Sequence, residues 1–309
     1  MDAICVGELL IDFTPGSAPN LYCCNPGGAP ANVAVAMARM GINVGFIGKV
    51  GKDIFGDYLL ETLRAEGVLL LCPHRAEEAV TTMVFVSLME NGERTFTFVR
   101  KPGADMLLNK EDILDKDIQK TKLLHAGSVS MSDEPARGAT LYAMQRAREL
   151  GKIVSFDVNY RDMIWNGNRD EALRCIRQAL SHTDLLKISE EEAGFLLGNR
   201  EPSALLETYA IHAVVVTHGE KGAHCYMRGG DCQASTTAKQ AIDTTGAGDA
   251  FWGNTLAYLL RSGVKHAGEI NLQHMEAAMR WGNAAGGFCV ERKGAIPAMP
   301  MFEQLAALL

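Results

Sequence analysis

Along this chain short apolar runs alternate with polar and glycine-rich stretches, and the alternation is most regular in its second half. From about residue 122 it reads strand then helix. Strands are expected at 122–126, 153–157, 184–188 and 213–217, with helices near 134–150, 169–181 and 202–210. Short β-rich stretches near 223–228 and 232–237 follow. Such alternation implies an α/β fold whose central sheet is mostly parallel and flanked by helices on both faces. The first half holds a strand over 3–13 (AICVGELLIDF) that carries Glu8 and Asp12, broken by Pro15, Gly16 and Pro19. A small-residue helix is expected from Val33 to Met40, a strand from Val44 to Ile47, and a helix from about Ile54 to Glu66.

Residues 80–100 depart from this rhythm. VTTMVFVSLME and RTFTFVR are β-rich, and Asn91-Gly92 between them is a strong hairpin signal. Together, about 12–24 and 80–104 read as a small β-lid over a site, with a plain edge hairpin as the simpler alternative. Arg100 and Asp105 at its exit face either solvent or a ligand. No internal repeat or linker divides the chain, so 1–309 reads as one domain.

Composition narrows the class. Of 309 residues 47% are apolar, enough for a large core, and the net charge is −7. No basic tract offers a nucleic-acid or anionic-membrane surface, and no run of about 18 apolar residues offers a span. The eight cysteines include the adjacent Cys23 and Cys24 but no C-x-x-C, and Cys5, Cys175 and Cys289 sit in apolar segments. Reduced thiols, no metal spacing and the absence of a basic leader after Met1 predict a soluble, cytoplasmic protein.

Chemistry concentrates in Asp243-Thr244-Thr245-Gly246-Ala247-Gly248-Asp249, which runs into an apolar helical stretch, Ala250 to Leu260. Glycines at a helix start let backbone N–H groups approach an anion, and a carboxylate inside such a cradle suits a base that deprotonates an attacking hydroxyl. Taken alone, an Asp cap on a tight turn explains the same residues. The loop is neither a Walker A sequence nor a G-x-G-x-x-G, since Phe251 stands at the third glycine. A second glycine turn, Asn25 to Asn32, precedes the first helix. In open α/β sheets ligands bind beyond the carboxyl ends of strands. That rule adds Asp157, Asn159 and Arg161, then Lys187 to Glu192, then Thr217-His218-Gly219.

Four motifs in order, Gly27-Gly28-Ala29-Pro30-Ala31-Asn32, FDVNYR at 156–161, the Asp243–Asp249 loop and Arg292-Lys293-Gly294-Ala295-Ile296-Pro297, make the chain resemble the ribokinase-like (PfkB) sugar kinases, and within them the fructokinases. The resemblance covers almost the whole length. It implies a ribokinase-like fold and transfer of the ATP γ-phosphate to the 6-hydroxyl of D-fructose. Asp249 matches the catalytic base, and Gly246, Ala247 and Gly248 the anion hole. Asp12, Gly27, Gly28 and Asn32 match sugar contacts, with Phe96, Arg100, Asn159 and Arg161 near the sugar or phosphates. Lys187, Ser189, Glu192, Thr217, Gly219, Gly222, Gly248 and Asn283 fall to ATP, the last near adenine. Magnesium is expected through water on Glu192. A potassium site is expected at Asp243, Thr245, Cys289, Arg292 and Gly294. A homodimer through the lid is implied as well.

Departures from the pattern leave the acceptor open. Ser189 replaces the asparagine of the family's N-x-x-E, Val158 stands where proline is common, Val99 where an aromatic often precedes the arginine, and Ala298 where some relatives have a hydroxyl. Ribose, nucleoside or 2-keto-3-deoxygluconate kinases on this fold are the alternatives, followed by a catalytically silent sugar- or nucleotide-binding protein and a dehydrogenase.

Overall fold

Each central strand sends successive side chains into two different cores. The computed structural model describes residues 1–309 except 19, 73, 89–93, 237 and 239 and except the side chains of Leu88, Arg94 and Phe96. The chain begins with β1 (Ala3–Val6), β2 (Leu10–Pro15), β3 (Tyr22–Gly27), α1 (Ala29–Arg39), β4 (Val44–Ile47), α2 (Ile54–Ala65) and the short β5 (Leu69–Leu70). The hairpin strands β6 (Met83–Leu88) and β7 (Arg94–Val99) follow, then α3 (Asp115–Gln119), β8 (Leu123–Gly127), α4 (Ala136–Glu149), β9 (Ile153–Asp157) and α5 (Arg169–Leu180). Next come β10 (Leu185–Ser189), α6 (Glu190–Leu197), α7 (Ala204–Thr208), β11 (Ala213–Thr217), β12 (Ala223–Met227) and β13 (Gly230–Ala234). The helices α8 (Ala247–Arg261), α9 (Leu272–Val290) and α10 (Phe302–Ala306) close the chain.

The main sheet runs β13-β12-β11-β10-β9-β8-β1-β4-β5 and is parallel from β11 to β5, with β12 and β13 antiparallel at one edge. Ala3, Cys5, Leu185, Ala213 and Val215 face the core under α1, α8 and α9. Ile4, Val6, Leu186, Ile188, Val214 and Val216 face the core under α4 and α5. Both faces are dry, which is why these strands read as continuous apolar runs. A second sheet, β3-β2-β6-β7, forms the lid, and its β6–β7 hairpin pairs Met83 with Val99. The Asn91-Gly92 turn lies outside the described residues.

Residues 3–13 are not one strand. The chain leaves the main sheet after Val6, because Gly7 takes φ +149° with the Pro30 ring 2.6 Å from where a Cβ would lie. It re-enters at Leu10 as the second strand of the lid. Gly7-Glu8 interrupts the apolar run at this switch, a mark that the single-strand reading passed over. Two helices also start earlier than expected. Helix α1 begins at Ala29 behind Gly28, and α8 begins at Ala247 behind Gly246 in the left-handed region, so Asp249 sits inside the first turn rather than at the cap.

Helices α1 and α8 cross tightly at Gly253. A Cβ there would lie 2.5 Å from the Ala36 Cβ and 3.0 Å from the Val33 carbonyl. Gly253→Val is therefore expected to cost about 1–3 kcal/mol through overpacking, measured by urea denaturation. A loss below about 0.5 kcal/mol, the range of an ordinary surface substitution, would show that the crossing has slack.

Candidate active site

The first turn of α8 opens onto the carboxyl ends of the central strands. Asp249, third residue of the helix, is buried, and its Oδ2 accepts a hydrogen bond of 2.8 Å from Asn32 Nδ2 on α1. The Asn32 Oδ1 is buried without a partner among the described residues. Gly246 has φ +74° and packs on Ala295, so a side chain has neither the conformation nor the room. The Ala247 N–H is turned to the Thr244 carbonyl at 3.3 Å. By contrast, the N–H groups of Gly248 and Asp249 make no hydrogen bond among the described residues. Unpaired amides at a helix start, with the positive end of its dipole, are suited to an anion.

Charges of both signs crowd this point. Lys187 on β10 donates to Asp157 Oδ2 at 2.7 Å, and its ammonium lies 3.1 Å from where a Cβ on Gly248 would be. Burial pushes that ammonium down, but the carboxylates of Asp157, Glu192 and Asp249 outweigh it, and the net shift is upward. Lys187 therefore stays charged. Asp249 is raised by burial, with Asp157 adding to the effect and Lys187, Asn32 and Arg161 opposing it. Asp12, half-buried on β2, lies against Gly27 so closely that no Cβ fits there. Burial and the Asp249 charge push its carboxyl up to about 7, against the pull of Arg161. Two acids thus share one cleft, and the exposed Arg161 is a cation that acts on both.

Further along the strand ends, Glu192 is held on both oxygens, by the Tyr160 N–H at 2.7 Å and the Ser189 N–H at 2.8 Å. The Ser189 hydroxyl accepts from the Glu192 N–H, completing a capping box at the start of α6. Burial and Asp157 raise the Glu192 carboxyl. Thr217 reaches the Ile188 carbonyl at 3.4 Å. Gly219 and Gly222 both have positive φ, and Gly222 fits only because it lacks a Cβ against the Ala234 backbone. Asn283 donates to that same Ala234 carbonyl at 2.7 Å, which binds α9 to β13. His218 pairs with Glu190 at 3.4 Å.

Asp243 joins two loops. Its Oδ1 accepts from the Thr245 N–H and hydroxyl, and its Oδ2 from the Gly294 N–H at 3.0 Å. The Cys289 thiol points at the Thr245 carbonyl at 3.6 Å, while Arg292 turns away to stack over Phe288 and donate to its carbonyl.

The structure therefore brings Asp12, Gly27, Gly28, Asn32, Arg161, Lys187, Gly246, Gly248 and Asp249 into one cluster. Arg100 and Asp105, expected to face solvent or a ligand, face each other instead of solvent. Both are buried against each other, Arg100 donating to Asp105 through Nε at 2.9 Å and Nη2 at 2.7 Å and to Ser132 through Nη1. Asn159 is buried with φ +41° after β9. The Phe96 side chain lies outside the described residues. One site residue gave only a weak signal in the sequence: Asp157, marked by its strand end but not by its bond to Lys187.

The model of the pfkB family of carbohydrate kinases matches residues 2–301. A protein named probable fructokinase-5 from Arabidopsis thaliana is 38% identical over 305 residues, 95% of this chain and 93% of its own. The fructokinase of Vibrio cholerae O395, solved in a form with fructose, ADP and calcium bound, superposes with a TM-score of 0.90 at 37% identity, covering 100% of this chain and 99% of that one. The aminoimidazole riboside kinase of Salmonella enterica, complexed with aminoimidazole riboside and an ATP analogue, gives 0.88 at 30% identity, covering 99% of each chain.

The raised Asp12 carboxyl can be read directly. Between 3.8 and about 7 the folded chain holds a proton there that the unfolded chain has released. This group's contribution to stability is thus fully present at acid pH and lost as pH rises through 7. Carboxyl carbon NMR should place the Asp12 titration near 7, and Asp249→Asn should move it down by removing the neighbouring charge. A titration near 4 that ignores Asp249→Asn would show that the two carboxyls do not share a cleft.

Proposed function

This chain belongs to the pfkB family of carbohydrate kinases, and we propose that within it the protein is a fructokinase, transferring the ATP γ-phosphate to the 6-hydroxyl of D-fructose. It is an ATP-dependent carbohydrate kinase with a ribokinase-like fold. The observation that carries the residue assignment is the Asp249 carboxylate, anchored by Asn32 beside the unpaired Gly248 and Asp249 N–H groups and the Lys187 ammonium.

Asp249 serves as general base. The Asn32 hydrogen bond fixes one oxygen, leaving the other to take the proton of the acceptor hydroxyl as it attacks phosphorus. Burial weakens its acidity, which makes the carboxylate a better acceptor for that proton. The first-turn amides of α8 and Lys187 face the oxygens of the transferring phosphoryl group, where negative charge must be spread without reorganisation. Asp12, the Gly27–Gly28 backbone and the free Asn32 Oδ1 hold sugar hydroxyls, and Arg161 balances the acids and the phosphates. Gly219 and Gly222 with Thr217 support the nucleotide, and Asn283 acts by holding the β13 edge of that site.

The donor set also bears on the ions. Among the described residues no group of three or more His, Cys, Asp or Glu side chains is placed to hold a metal. Glu192 already accepts two backbone N–H groups, which fits a divalent ion carried mainly by the triphosphate and reached through water. A magnesium ion there would supply positive charge against the phosphates, with Glu192 holding its water. A potassium ion would draw on carbonyls of the two loops that Asp243 ties together, and the Arg292 guanidinium is turned onto Phe288.

Among the described residues no helix is long and apolar enough to cross a membrane. The eight free cysteines support a reducing, cytoplasmic setting. The lid exposes Leu21 and Tyr22 near one edge strand and Val99 on the other, which supports a homodimer through the lid, to be measured by sedimentation.

ADP release with ATP and magnesium over a panel of fructose, ribose, glucose, adenosine, aminoimidazole riboside and 2-keto-3-deoxygluconate tests the acceptor. A selective fructose signal is expected, and selective turnover of the riboside instead would overturn fructose while keeping the base. Asp249→Asn is expected to lower kcat roughly 10²–10⁴-fold with little change in the ATP KM. Activity within twofold of wild type would remove Asp249 from that role.

A further inference from the structure

Glu8 occupies the crossing from β1 to β2 and is 2% exposed. Its Oε1 accepts from the Ala29 N–H at 3.0 Å, while its Oε2 is buried without a partner among the described residues. Ala29 is the first residue of α1, whose cap, Gly28, has no side chain and whose first turn has no acid. The cap position cannot be filled locally, because a Cβ on Gly28 would strike the Glu8 carbonyl itself. Glu8 thus supplies from 21 residues upstream what a Ser or Asp at the cap supplies in an ordinary helix. The same turn presents Gly27 to Asp12 and, through Asn32, reaches Asp249.

We propose that Glu8 is a positioning residue for phosphoryl transfer, capping α1 across the chain so that the Gly27–Asn32 loop holds the sugar and the base in register. The inference rests on reading that loop as the sugar site. Its side chain works as a neutral acid. Burial, reinforced by Asp105, pushes the carboxyl up to about 8, against the pull of its own backbone N–H, the Ala29 N–H and Arg100. Near neutral pH one oxygen therefore accepts from Ala29 while the other carries a proton. Glutamine reproduces that arrangement, with an amide oxygen for the acceptor and an amino group for the hydroxyl.

The test uses the full chain. Hydrogen exchange, which needs no sugar, should show Glu8→Ala speeding exchange over residues 28–32 about tenfold or more, with Glu8→Gln close to wild type. In kinetics on whichever panel acceptor the wild-type enzyme uses, Glu8→Ala should raise the acceptor KM about tenfold, a loss of about 1.4 kcal/mol. The ATP KM should stay within about twofold, and Glu8→Gln should restore the acceptor KM. Unchanged exchange in a folded Glu8→Ala would overturn the cap. Faster exchange with both KM values unmoved, or both raised equally, would overturn the positioning role, as would failure of Gln to rescue. Should Glu8→Ala not fold, Glu8→Gln decides: a wild-type KM supports the hydrogen-bonding role, and a raised one overturns it. Should the wild type use no acceptor on the panel, the sugar reading fails separately, and the exchange result alone decides the cap.

Discussion

Keeping a carboxylate basic but available inside a buried cleft is the constraint on which the site depends. Desolvation alone would protonate Asp249, and its partners set how far that goes. Lys187 offers the opposite charge, Asn32 a hydrogen bond, and the start of α8 the positive end of a helix dipole. None of these comes from the same element as the others. Lys187 stands on β10, Asn32 on α1, and the geometry that joins them is the close crossing of α1 and α8 at Gly253. Asp157 then keeps Lys187 in place and adds negative charge, so the cluster is balanced rather than simply cationic. Such balance suits a site that must receive a polyanion and a neutral polyol in turn.

The lid is tied to this cluster from below. Asp105 takes both the Arg100 guanidinium and the Thr82 hydroxyl, and Arg100 reaches on to Ser132 beyond β8. Thr82 and Arg100 flank the β6–β7 hairpin, so one buried carboxylate gathers both of its ends. Breaking such a pair leaves a buried charge uncompensated, which is why it works as a fixed root rather than a mobile contact. Glu8 lies close enough to feel both charges, which links the root of the lid to the turn before α1.

Much of this was legible because periodicity and strand ends report directly on parallel α/β architecture. The strands from 122 to 217 and the residues just past their ends were readable from apolar runs and polar terminations alone. The β1–β2 break was not read, because Gly7-Glu8 is a short interruption that a single strand and a crossing between sheets would both tolerate. Arg100 misled for a related reason. A lone arginine after a hairpin looks available to a ligand, and only the fold brings Asp105 back beneath it. Asn283 fell near the expected end of the cleft, but its amide is spent on Ala234, a bond between residues 49 apart that sequence has no means to announce.

The departures from the family pattern acquire physical meaning once placed. Ser189 caps α6 with its hydroxyl and leaves Glu192 bonded as a capping box requires, a local duty that serine performs as well as asparagine. Val158 is wholly buried in the core under α4 and α5, and its N–H donates to the Lys187 carbonyl at 3.2 Å, a bond that proline would lack. Neither position presents a side chain to an acceptor. Val99 differs, being 40% exposed at the end of β7, opposite Met83 in the lid. Of these three departures, only Val99 stands on the element that closes over the cleft. If Asp12 holds the sugar as proposed, discrimination between a ketohexose and a riboside would fall to the lid strands and their neighbours. The anion cradle, built from backbone and Lys187, would serve any primary hydroxyl placed before Asp249.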